Sequence, residues 1–258
     1  MSHHYSIIGV EGPHDQAFVG KLLRVLGFQD FRKIHQGKAE YLDPFWRKFT
    51  PQYPKNGDLY ARLDMPSILF TETHSIAIYC GGGSNLSTNL DDILFTHPPY
   101  QTELSAFAII VDADKKSPKN IAQNFQETFK PYFSDFPSKP GIIADGKTKT
   151  GMYILPDNNN NGVLDSILLK CGKEAYTEYI TEAENYISKL DNSSQKYHKF
   201  KNFDKDKAII ASVVSVLKPG KTNTVSIADN NWISEKTIQN VIELASFIEF
   251  LKQLLDLT

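Results

Sequence analysis

Cysteine is scarce in this chain of 258 residues: Cys80 and Cys171 are its only two, far apart and in no metal-binding spacing. That excludes a disulfide scaffold and a cysteine-built zinc module, and leaves two small apolar side chains suited to a reducing compartment. Long apolar runs are missing too. No stretch of about 18 apolar residues occurs, so no membrane-spanning helix is expected. The apolar part of "MSHHYSIIGVEG" is too short for a signal peptide, and His3 and His4 within it read as a frayed terminus rather than a metal pair. Charge of one sign is lacking as well. Twenty-eight Lys and Arg against 30 Asp and Glu leave a net charge of −2, so no global basic field marks a nucleic-acid binder. A bound divalent metal or a local lysine patch could take the place of such a field. The expected protein is soluble and cytoplasmic.

What is present alternates. Tyr5 to Val10 reads as a buried strand, and Pro13 as the first-turn proline of a helix reaching Leu26 and stopped by Gly27. "HSIAIYC" (74–80) and "FAIIVDAD" (107–114) are further buried strands, the first followed by a glycine turn and a helix. Pro118 to Lys130 reads as a helix, and "GMYILPDNNNNG" (151–162) as a strand stopped by Pro156 before an asparagine-rich turn. A helical stretch begins in "VLDSILL" and runs, with a break near Gly172, to about Leu190. "KAIIASVVSVL" (207–217) is apolar almost all round and therefore buried, as helix or strand. From about Ile238 to Leu255 apolar residues recur at helical spacing, a stripe better suited to docking on the core than to holding a partner helix. Residues 30–73, rich in proline and aromatics without clean periodicity, read as an inserted, partly ordered segment.

The expected fold is α/β: a mainly parallel sheet flanked by helices, with that insertion and a helical C-terminal part. Residues 1–170 form the core in this reading, and 171–258 a helical extension packed on it.

Such sheets bind ligands at the carboxyl ends of their strands, which makes the acids informative. Glu11 and Asp15 follow the first strand, Asp112 and Asp114 the third, and Asp157 a later one. Carboxylates gathered at one edge repel unless a cation or a proton lies between them, and hard oxygen donors suit Mg²⁺ or Mn²⁺. Each motif also has a plainer reading. Asp15 serves a helix dipole, and "DAD" caps the helix after it. Gly82 and Gly83, with Gly81, either cradle a phosphate through backbone amides or make a tight turn; no Walker-type lysine follows them.

The order "VEGPHD", "YCGGGSN", "VDAD" resembles the Toprim domain of topoisomerases, bacterial primases and small nucleases, over residues 5–27 and 75–115. That family has a Glu after its first strand and an Asp-x-Asp after its third. The resemblance thus implies that Glu11, Asp112 and Asp114 are metal-binding acids, with Asp15 assisting. Downstream, "GVLDSILL" and "DKAIIAS" resemble the nuclease branch of the overcoming-lysogenization-defect type. They offer Asp165 where that branch usually has Glu, and Lys207 as its lysine. Small uncharacterised Toprim proteins carry "PDN…G" before that acid, which makes Asp157 a rival ligand.

Lys207 has a hint of its own, because a cation at the start of an apolar helix opposes the macrodipole and invites an anion such as phosphate. Seven lysines and two aspartates between Lys196 and Lys221, Lys205 among them, form either a phosphate-binding patch or a solvated loop. The expected activity is a Mg²⁺- or Mn²⁺-dependent nuclease acting on DNA or RNA, with Glu11 and Lys207 as catalytic groups. The alternative is a weakly active or non-cleaving Toprim module that binds nucleic acid. A polymerising primase subunit is disfavoured by the missing zinc module, and a topoisomerase by the missing gate domains. The resemblance also implies a role in phage defence beside a separately encoded ATPase.

Overall fold

Four apolar segments with almost no charge among them build the centre of the molecule, because only strands buried on both faces can use such runs. In the computed structural model, which describes residues 3–47, 49–50, 57–59, 65–193 and 200–257, they are β1 (His4–Val10), β4 (His74–Cys80), β5 (Leu104–Asp112) and β7 (Lys149–Leu155). All four run parallel, in the order β4-β1-β5-β7. Short antiparallel strands finish both edges: β2 (Gln29–Asp30) and β3 (Ser67–Phe70) beside β4, and β6 (Ile143–Asp145) beside β7.

The inserted 30–73 segment carries β3 and a short helix at Phe31–His35, and so completes one edge of the sheet. Lys48 and residues 51–56 and 60–64 of it lie outside the described residues.

Period-two alternation sorts the strand side chains onto two faces. Ile8, Val10, Ala106, Ala108, Ile110, Tyr153 and Leu155 share one core, while Ile7, Phe107, Ile109, Val111, Met152 and Ile154 share the other. The helices are α1 (Pro13–Val25), α2 (Phe31–His35), α3 (Leu86–Thr96), α4 (Pro99–Thr102), α5 (Pro118–Phe129), α6 (Leu164–Ala175), α7 (Thr177–Ser193), α8 (Asp204–Leu217), α9 (Asn223–Asp229), α10 (Glu235–Asn240) and α11 (Ile242–Leu255). Buried residues of α1, α6 to α9 and α11 join the first core, with Ile238 of α10 packed against it, and those of α2, α3, α4 and α5 the second. The C-terminal stripe docks as its spacing suggests. Phe247 stacks on Phe18 of α1 at 5.6 Å between ring centroids and lies 4.7 Å from the Tyr153 ring.

Three local expectations need correction. The break after "VLDSILL" falls at Tyr176, not near Gly172. Gly172 sits inside α6, where a Cβ would come within 2.7 Å of Ile180 and 2.9 Å of Trp232. It is a packing glycine. The stretch at 207–217 is a helix that starts earlier, at Asp204. The C-terminal helix is interrupted at Val241, whose extended backbone separates α10 from α11. Among the described residues, no helix is long and apolar enough to cross a membrane.

Candidate functional site

Because β1, β4, β5 and β7 are parallel, the residues that follow them emerge at one edge. Past β1, Glu11 precedes Gly12, which is the extended N-cap of α1, and Pro13 occupies the first turn. Asp15 lies three residues beyond the cap. Its carboxylate accepts a 2.8 Å hydrogen bond from the Gly12 amide and is buried at 8% exposure. The helix-capping reading of Asp15 thus holds locally, yet capping alone does not require a carboxylate to be buried.

Asp112 closes β5. Its Oδ1 accepts a 2.8 Å bond from the Leu164 amide at the start of α6, which ties the helix that bears Asp165 to the sheet edge. Asp114 takes a left-handed backbone (φ 49°) and exchanges backbone hydrogen bonds with Gly162, at 2.8 and 3.2 Å. That conformation is unusual for an aspartate and turns the chain back at the strand end.

Two clefts meet along Asp112. One, of about 580 Å³, is lined by Glu11, Asp112, Asp114, Lys115 and Lys116 together with Ser84, Ser87 and the polar face of α5. The other, of about 400 Å³, is lined by His14, Asp15, Asp112, Asp165, Lys207 and Asn223. The six acids and Lys207 singled out from strand ends and downstream motifs thus divide between adjoining clefts, with one exception taken up below.

Their electrostatics are shared. Burial, and then the charges of Asp15 and Glu11, push the Asp112 carboxyl up to about 9, against the Leu164 amide that favours the ionised form. Asp15 is pushed up to about 7 by burial and by Glu11. Glu11 is raised by burial and by Asp114, while the Asp112 backbone, Lys116 and Lys207 work the other way. Asp165 is raised by burial, opposed by Lys207 and His14. His14 is held below its ordinary value by loss of solvent and by Lys207, with Asp165 opposing. Such mutual repulsion is relieved by protons or by a cation.

The donor set suits a hard divalent ion, since Asp15 and Asp112 each keep one oxygen free of the bonds described. As the side chains stand, no three of the described His, Cys, Asp and Glu residues are grouped to hold a metal.

A family model for a protein of unknown function (DUF3226) matches residues 5–256. This chain belongs to DUF3226. No curated protein matches it. Among solved structures, the DUF3226 chain is similar to the crystal structure of hypothetical protein PH0156 from Pyrococcus horikoshii OT3. The identity is 17% over 98% of this chain and 96% of that one, with a TM-score of 0.54. That likeness bears on the fold alone.

Several expected site residues of the DUF3226 chain stand elsewhere. Asp157 is engaged by its own turn: Oδ1 accepts from the Asn159 and Asn160 amides at 3.0 and 2.8 Å, and Oδ2 from Asn160 Nδ2 at 2.7 Å. Burial would raise its pKa, but these donors and Lys170 hold it below the ordinary value. It lines neither cleft, and both its oxygens accept hydrogen bonds within its own turn. Gly83 lines the Glu11 cleft, but its amide donates to the Glu11 carbonyl at 2.8 Å and is not spare for a phosphate. Gly82 and Gly83 have φ of 73° and 69°, which is what a tight turn needs.

Lys205 lines neither cleft. Lys196 and Lys199, counted in the basic patch, lie outside the described residues. Lys207 does reach the acids, though not for the dipole reason: α8 begins at Asp204, so Lys207 is in its second turn, behind Asp204 and Asp206. His14, Lys115 and Lys116 were not singled out from sequence. Their only signal was adjacency to "VEGPHD" and "VDAD".

Gly81 shows why the turn is built of glycine. A Cβ there would lie 2.4 to 2.6 Å from Leu86, including its Cα at 2.5 Å. Gly81→Ala should therefore lower stability by about 1–3 kcal/mol, seen as a lower thermal midpoint. An unchanged midpoint would mean that the turn is not packed in this way.

Proposed function

We propose that the chain is a metal-dependent nuclease whose acids at the sheet edge hold one or two Mg²⁺ or Mn²⁺ ions. The observation that carries the reading is the convergence of acids from two parallel strand ends: burial raises Glu11, Asp15 and Asp112, and so do charges within the cluster, Asp114 acting on Glu11, Glu11 on Asp15, and Asp15 with Glu11 on Asp112. Glu11, Asp112 and Asp114 would hold the ion, with Asp15 and Asp165 in support. When bound, it supplies positive charge for water activation and for the scissile phosphate.

Lys207 shares a cleft with Asp15, Asp112 and Asp165, where its cation would offset charge developing on phosphate or leaving-group oxygens. Among the described residues it has no acid partner in an ion pair, so that charge is available. Glu11, with its raised pKa, could instead carry a proton between water and the leaving oxygen. Agreement with the Toprim-like order of acids supports the reading but does not stand in for the assay.

The specific observation favouring a weakly cleaving, nucleic-acid-binding module is that, among the described residues, no three His, Cys, Asp or Glu side chains are grouped to hold a metal. One experiment separates the two. Supercoiled plasmid and structured RNA, incubated with the purified chain, should be cut with Mn²⁺ or Mg²⁺ and left intact with EDTA. Retarded mobility without cutting under all metal conditions would favour the binding module, and neither effect would remove both readings.

A further inference from the structure

The cleft beyond Asp112 holds more polar surface than an ion requires. It is lined by Ser84, Ser87, Asn120, Asn124 and Thr128, with the exposed Lys115 and Lys116 beside them; Ser87 and Thr128 bond to each other at 3.1 Å, which leaves Ser84 and the two asparagines as the more open polar groups. Hydroxyls, amides and ammonium groups of this kind suit phosphate and sugar oxygens. Phe125 is the one aromatic ring in the described lining, half-buried against the second core, so a run of rings for stacking successive bases is lacking.

The left-handed turn at Asp114 and the 2.9 Å bond from the Lys116 amide to the Ala113 carbonyl fold the two lysines back beside the acids. The charge of Lys116 is felt at Glu11, as is that of Lys207. Lys207 lines the other cleft, so Asp112 borders one cleft that holds Lys115 and Lys116 and a second that holds Lys207. Among the described residues, neither Lys115 nor Lys116 is ion-paired.

We infer that this second cleft is the path of the substrate strand on one side of the scissile phosphate, gripping its backbone through Lys116 and Lys115 and leaving the bases unread. The inference rests on the nuclease reading and adds to it a binding site, a ligand class and a lack of sequence preference.

The probe is a fluorescein-labelled oligothymidylate of about 20 nucleotides, with oligoadenylate of equal length beside it, bound to the full chain in EDTA. Affinity is read by anisotropy between about 50 and 200 mM salt. Each phosphate neutralised on a single strand contributes about 0.7 to the slope of log affinity against log salt. Lys116→Ala should therefore reduce the slope by about 0.7 and weaken binding near 0.1 M salt about fivefold, ten to the power 0.7. Lys116→Arg should restore both, and Lys33→Ala, on the outer β2–α2 edge, should change neither.

The two homopolymers should bind alike. A slope unchanged in Lys116→Ala, in a protein that binds the probe and cuts plasmid, overturns the inference and leaves the nuclease reading intact. So does a clear preference for one homopolymer that Lys116→Ala leaves in place. Wild-type protein that neither binds nor cuts would overturn the nuclease reading itself, and this inference with it.

Discussion

Asp112→Asn should abolish metal-dependent cleavage and at the same time make the metal-free protein more stable. Asn keeps the shape of the side chain and an oxygen to accept the Leu164 amide, so the link to α6 survives. What it removes is the charge nearest the centre of the cluster. Losing a ligand of the catalytic ion costs several kcal/mol in the transition state, at least about 10²–10³-fold in rate.

The gain in stability follows from proton linkage. Asp112 titrates at about 9 in the folded chain against an ordinary value of 3.8, and Asp15 at about 7 against 3.8. Below the ordinary values both states hold these protons and the cluster exerts no pH effect. As pH rises above them, the unfolded chain releases its protons while the folded chain retains them, so stability falls. For Asp15 the decline is complete near pH 7 and for Asp112 near pH 9.

Metal-free wild-type protein should therefore melt at progressively lower temperature from acidic pH to about pH 9, with Mg²⁺ or Mn²⁺ reversing the trend. Asp112→Asn should flatten the upper part of that decline and raise the thermal midpoint at neutral pH by about 2–4 °C for each kcal/mol relieved. Parallel curves for variant and wild type would show that the carboxylates do not repel one another as their placement implies.

Lys207→Ala should lower turnover by about 10²–10³-fold with metal affinity nearly unchanged. The lysine lines the cleft of Asp15 and Asp165 but donates no oxygen, so an ion can settle without it. Charge that accumulates on phosphate oxygens during cleavage has no such substitute.

Asp165 behaves differently. It begins α6 within reach of Lys207 and His14, and burial already disfavours its charge. Asp165→Ala should weaken metal binding and turnover together, whereas Asp165→Glu, with one more methylene, should be tolerated. Metal affinity from calorimetry and initial cleavage rates from the same preparations separate the two effects. If Lys207→Ala cleaves at the wild-type rate, the lysine is surface charge and the phosphate is stabilised by other groups.

The central strands and their acids were legible because buried parallel strands are short apolar runs, and because a carboxylate just past such a run has few structural reasons to be there. The edges were not legible. β2 has two residues, β6 three and β3 four, too few for alternation to register, and β3 follows a proline-rich stretch that argues for irregular chain. Asp157 was ambiguous because an aspartate before four asparagines can serve its own turn as readily as a metal, and only the donors around it show that it serves the turn. The dipole argument for Lys207 depended on a helix start placed three residues late. His14 and Lys116 could not be ranked in advance, because the left-handed turn at Asp114 and the facing position of α8 are tertiary facts.

The bond from the Leu164 amide to Asp112 makes one proton a listening post for the whole cluster. That amide belongs to the first turn of α6, yet its partner is the acid of the cluster pushed up to about 9, the furthest departure there from the ordinary value. Its chemical shift would register the ionisation of a carboxylate that is itself hard to observe, and would do so without any substrate or any mutation. A helix fastened in this manner also carries the message outward: the same turn holds Asp165, and Ser166 beside it bonds to Asp206 of α8 at 3.0 Å. The state of charge at the sheet is thereby wired to the helical layer.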